Sequence, residues 1–352
     1  DGNLSPYATL SNPFPDGIQQ PTGSSLGVDT FLGRGISYYN RDIQNPYSVR
    51  WNLTMQRELS PNLVVEVTYL GNHAVHLTTN RPVNFTPNQY LSRSAFRDQA
   101  TIDFLAANVA NPFVNLLPGT NLNGSVTSRD QLLVAFPVYT GVAANALNEG
   151  SSNAHMGLLK VDKRFSGGLQ FQAAYQLSKT IQRLSLLNDG DIALEKRIAP
   201  EDATHRAVVN GIYELPFGRG KRFGASSGAL LNHVAGGWLA SGIYTFQSGP
   251  PLSWGNVIYL GGDLKMEPRN IDRAFDVTRF NRTANLQPSR NLRVFNTAFN
   301  NLRADGVNTF DLSAIKNFYL MERLRLQFRC EFFNAFNHPL FGAPDGNPTS
   351  TT

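Results

Sequence analysis

ERLRLQFRCEFFN, residues Glu322 to Asn334, sets Leu324, Leu326, Phe328, Cys330 and Phe332 between Arg323, Arg325, Gln327, Arg329 and Glu331. In a strand, successive side chains point to opposite faces, so this spacing gives one apolar face and one charged face. A helix would mix the two sets. The same period recurs in Gly168 to Ser178 (Leu169, Phe171, Ala173, Tyr175 and Leu177) and in Val49 to Leu59 (Val49, Trp51, Leu53 and Met55). Five further segments, 62–72, 154–165, 205–215, 236–247 and 308–318, bring the predicted strands to eight, most of them about eleven residues long. At ~3.3 Å per residue and a tilt near 45°, such a strand covers about 25 Å, the apolar height of a membrane barrel. Strands of soluble sheets average about five or six residues.

Composition points the same way. Only 16% of the 352 residues are charged, against roughly 25% in an average soluble domain. No apolar run approaches the ~18 residues of a spanning helix, which leaves strands as the means of crossing. The connections alternate between tight turns (60–62, 166–168, 319–321) and long polar excursions (73–153, 181–204, 248–307), the pattern of short periplasmic turns and long external loops. The segment 216–235 is longer than its periplasmic place requires. Tyr47, Tyr69, Phe165, Phe217, Trp238, Tyr244, Phe246, Phe318 and Phe336 fall at or near strand ends, as interfacial aromatics do. Leu53, Leu169, Phe171, Leu326 and Phe328 are expected to face lipid. The expected fold is an all-β, transmembrane, antiparallel up-and-down barrel. Residues 1–45 read as a loop or entry segment, 45–340 as strands and loops, and 341–352 as a polar tail. The opening DGNLSPYATL carries neither an initiator Met nor a signal peptide and reads as part of a longer chain.

Chemistry is sparse. The single Cys330 allows no internal disulfide and no Cys-based zinc cluster. Gly218-Arg219-Gly220-Lys221 lacks the spacing and the Ser/Thr of a phosphate loop. His73 and His76, three apart in an extended region, make a poor chelate. The cations are scattered despite a net charge of +5, so nucleic acid is not an expected partner. Arg50, Glu58, Glu66, Lys160, Asp162, Arg164, Arg206, Asp311, Arg323, Arg325, Arg329 and Glu331 each fall on the polar side of their strand. They are expected to line the lumen, with no catalytic, cofactor or metal role. The arginine ladder of the last strand would be satisfied by acidic neighbours such as Asp311.

The phrases NPYSVRWNLTMQREL, VEVTYLGNHAVHL, HRAVVNGIYELPFGRGKRFG, GGWLASGIYTFQSGPPL and LRLQFRCEFFNAFNHPLFGAP resemble the C-terminal barrel of Oar-like TonB-dependent outer-membrane receptors. This resemblance, from about residue 45 onward, implies a barrel of commonly 22 strands, an N-terminal plug, which the arginine ladder of the last strand would dock as the alternative to pairing with Asp311, and a segment that engages a TonB-type energy transducer. The plug, the transducer-contacting segment, the early strands and a strand after Phe341-Gly342 have no counterpart here. The function so implied is energy-coupled, non-enzymatic transport of a bulky, unidentified substrate across the outer membrane, with outer-membrane lipid as the surrounding partner. A passive porin-like barrel and a secreted carbohydrate-binding β-sandwich are the alternative readings.

Overall fold

The computed structural model describes residues 8–15, 17–18, 25, 27–226, 228–268, 273–321, 324–347 and 349–350. Eight long antiparallel strands run in sequence order: β1 (Tyr47–Ser60), β2 (Leu63–Pro82), β3 (Gly141–Ser166), β4 (Leu169–Arg183), β5 (His205–Glu214), β6 (Trp238–Gln247), β7 (Val307–Met321) and β8 (Leu324–Phe332). Each pairs with its neighbours in the chain, giving one up-and-down meander with β1 and β8 as free edges. All eight strands expected from the alternation are present. The sheet is open.

Local chemistry fixes the hairpins. Between β3 and β4, Gly167 (φ 58°) and Gly168 (φ 81°) both occupy the left-handed region, the requirement of a two-residue turn whose twist matches its strands. Between β1 and β2, Trp51 stands opposite Gly71, and a β-carbon on Gly71 would lie 2.2 Å from the indole. The indole therefore occupies the space a larger residue would need.

Three sequence expectations are corrected. The excursion expected over 73–153 is shorter, because β2 continues to Pro82 and β3 begins at Gly141. At 20 and 26 residues these strands exceed the ~9–11 needed to span a bilayer, and their outer halves form a ribbon with register shifts after Ala74, Leu77 and Thr79. Polar residues crowd both faces there, so no alternation marks the strand. Within the segment read as entry loop, Gly35–Tyr39 pairs parallel with residues 141–145 at the start of β3. Finally, β7 runs through the turn expected at 319–321 to Met321, opposite Leu324. The connecting residues, Arg323 among them, lie outside the described set.

Hydrophobic burial is concentrated away from the sheet. Leu252, Trp254, Leu264, Phe275, Phe280, Leu302 and Ala304 form a core inside the excursion between β6 and β7. That loop, together with 83–140 and 184–204, makes a cap over one end of the strands.

Candidate functional site

Register carries the two-faced pattern across the wall. Met55 stands opposite Val67, Val67 opposite Leu159, Leu159 opposite Tyr175, and Tyr175 opposite Ala207. Val209 faces Tyr244, Tyr244 faces Phe310, and Ala314 faces Cys330. Opposed residues share a face, so these side chains form one apolar surface, as do Leu53, Leu169, Phe171, Leu326 and Phe328. It is open to solvent: Leu53 is 65% and Met55 71% exposed. A soluble sheet would bury such a face.

On the opposite face, Arg50 stands opposite Asn72, Glu58 opposite Val64, and Glu66 opposite both Gln56 and Lys160. Lys160 Nζ pairs with Asp162 at 2.9 Å, and Asp162 also accepts a 2.6 Å bond from Gln172 Nε2. Arg164 follows two residues on, beside a cavity of about 420 Å³ shared with Gln170, Asn210 and Ser241. Arg206 stands opposite Gln176 and Gln247. Arg329 pairs with Glu331 of its own strand at 2.8 Å. Asp311, one expected partner of the arginine ladder, instead accepts the backbone N–H of Asn334 at 2.7 Å, so it closes the end of β8. Arg325 stands opposite Tyr319 in the register. The polar face is not uniform, since Ile212 and Ile243 share it.

The apolar face ends in a collar that alternation alone does not disclose. Tyr69 Oη bonds His155 Nδ1 at 2.8 Å, and Tyr175 Oη bonds His205 Nδ1 at 2.7 Å. Each pair bridges neighbouring strands diagonally, and each gives an aromatic ring a polar tip at the boundary of the apolar band. At the opposite boundary Lys316 is held by the carbonyl of Gly236 and lies 5.7 Å from the Trp238 ring. His73 bonds Asn153 Oδ1 and His76 the carbonyl of Asn148. Among the described residues no three His, Cys, Asp or Glu side chains gather to hold a metal ion.

Side-chain bonds tie the capping loops together. Asp202, its side chain 1% exposed, pairs with Arg303 at 2.7 Å. The same guanidinium donates to the carbonyls of Asp202 and Gly249, and Asp202 accepts the N–H of Thr180 at 2.7 Å. Glu195 receives the N–H and hydroxyl of Thr297, both at 2.7 Å. Asn188 and Arg293 exchange two bonds. In the first loop Asp98 caps the helix Gln99–Ala106. The Thr101 backbone N–H, followed by the Ser92 hydroxyl, holds its carboxyl below the usual carboxylate range. A cleft of about 340 Å³ opens where the loops meet, lined by Phe85, Leu187, Asp189, Asn256 and Arg290 among others.

A family model agrees with this architecture. The family model described as "Outer membrane beta barrel domain" matches residues 1–352. A search of curated proteins gives no match. Among solved structures, the outer membrane transporter YddB from Escherichia coli is similar at 10% identity and a TM-score of 0.41, covering 87% of this chain. The chain spans 31% of that transporter's length.

Proposed function

The chain belongs to the outer membrane beta barrel domain family, and on that premise we propose that it is the strand-and-loop wall of a TonB-dependent receptor for a bulky substrate. It resides in the outer membrane, in a family typically not enzymatic. The observation that carries the proposal is the two-faced wall, apolar outward and charged inward, with the three longest-range loops tied together over one end. The apolar face meets lipid. Arg50, Glu58, Glu66, Lys160, Asp162, Arg164, Arg206, Asp311, Arg329 and Glu331 line an aqueous lumen, joined there by Arg323 and Arg325, which are placed by sequence alone. Backbone groups cannot stay unpaired in hydrocarbon, so the open edges of β1 and β8 pair with further strands of a larger barrel. The Oar-like resemblance supports a plug and a transducer contact, and hence energy-coupled passage.

Orientation is tested with impermeant thiol reagents on intact cells, in a Cys330→Ser background. Asp189→Cys and Asp263→Cys should label and Asn62→Cys should not; labelling at Asn62 alone would invert the topology. Energy coupling is tested by deleting the TonB-type transducer. Uptake that persists at the wild-type rate would favour a passive, porin-like barrel.

A further inference from the structure

On the apolar face, at the boundary nearer the loops, a cleft of about 270 Å³ lies against β3 and β4, lined by Ser151, Asn153, His155, Lys179, Arg183 and Lys196 among others. The register aligns Ser151 with Arg183, Asn153 with Ile181 and His155 with Lys179. Following the same side of β4 toward the loops, the residues are Ala173, Tyr175, Leu177, Lys179, Ile181 and Arg183. The apolar band therefore gives way to cations just beyond Leu177. Lys196 joins them because Arg197–Ile198 pairs with Gln182 and Ile181.

These cations are uncompensated. Among the described residues, none of Lys179, Arg183 and Lys196 has a carboxylate within salt-bridge distance. On the opposite face Lys160 pairs with Asp162 and Arg329 with Glu331, whereas here three cations gather at one cleft with none. Two neutral donors complete the cleft. Asn153 Oδ1 is engaged by His73 and His155 Nδ1 by Tyr69, which leaves Asn153 Nδ2 and His155 Nε2 for a ligand.

We propose that this cleft binds the phosphorylated sugar headgroup of an outer-leaflet glycolipid, with the acyl chains lying along the apolar face below it. The inference rests on the proposed orientation, which puts the loops outside the cell. Three cations against a phosphate carrying about −1.5 to −2 charges are complementary, and the cleft's place at the end of an apolar band selects an amphiphile over a free anion. A basic side chain near an anionic membrane surface contributes about a fivefold change in binding.

The test uses the full protein in nanodiscs of phosphatidylethanolamine containing diphosphoryl lipid A or its dephosphorylated form, with retained lipid read by native mass spectrometry. Wild type should retain the diphosphoryl form preferentially. K179Q/R183Q/K196Q should lower that retention on the order of a hundredfold, and K196Q alone about fivefold. Heat-modifiable mobility checks assembly, and K196Q, outside the long strands, carries the test if the triple variant fails to insert. Equal retention by wild type and a correctly assembled variant, or equal retention of the dephosphorylated lipid, would overturn the site. Displacement of lipid A by inorganic phosphate alone would overturn the glycolipid assignment. The labelling of Asp189→Cys reads orientation separately, so a wrong topology and a wrong site give different results.

Discussion

The wall and the cap bury their hydrophobic residues in opposite senses. On β1, Met55 is 71% exposed within the chain, whereas Trp254 in the third loop is 4% exposed and packs against Phe275, Phe280 and Phe299. The same residue classes serve both regions. What differs is the solvent each meets: the wall has a hydrocarbon partner outside the chain, while the cap stands in water and must supply its own. Continuous strand pairing orders the wall, and side chains reaching between distant loops order the cap.

The sharpest break falls on the cap. Arg303→Met leaves Asp202 buried without its counter-charge, and loss of one partner of a buried pair costs about 3–5 kcal/mol. Hydrogen exchange should rise through 184–204 and 248–306 while β3 and β4 stay protected; uniform loosening of both regions would erase the distinction. Next come two adjacent leucines of β3. Leu159 lies on the apolar face and Leu158 on the other, and an arginine facing the bilayer midplane costs roughly 2–4 kcal/mol. Leu159→Arg should sharply reduce heat-modifiable barrel, and Leu158→Arg should be tolerated.

A smaller effect is expected at Lys160, whose pair with Asp162 is about one-third exposed. Such pairs contribute about 0–1 kcal/mol, so Lys160→Gln should leave the barrel's urea midpoint almost unchanged. A shift as large as that of Leu159→Arg would mean that the lumen face is not wet. The mildest test is pH. The Asp98 carboxyl lies below its ordinary value in the folded chain. Its contribution is therefore complete above about pH 4, the unfolded value, and is lost as pH falls through the folded one. Exchange in Gln99–Ala106 should accelerate only on that acid limb, and Asp98→Asn should remove the pH dependence.

The wall was legible because alternation is a local property. Leu324 to Phe332 and Leu169 to Leu177 announce their faces within a dozen residues, and the register follows from short turns. The outer halves of β2 and β3 were not legible, because polar residues stand on both faces of 72–80 and no two-residue period shows there. The cap core was hidden for another reason. Leu252, Trp254, Leu264, Phe275, Phe280 and Leu302 are scattered over fifty positions with no period, and their meeting depends on the path of the loop. Among the polar residues, Asp311 bonds a backbone amide, which spacing cannot disclose. The Tyr69–His155 and Tyr175–His205 pairs are diagonal contacts that appear only once the strands are in register.

The Asp202–Arg303 pair joins residues 101 positions apart, with β5 and β6 lying wholly between them. Both loops must cross to the same side before the two charges can meet. The bond thus closes a circuit of about a hundred residues around the β5–β6 hairpin, so that the second and third loops hold each other in place.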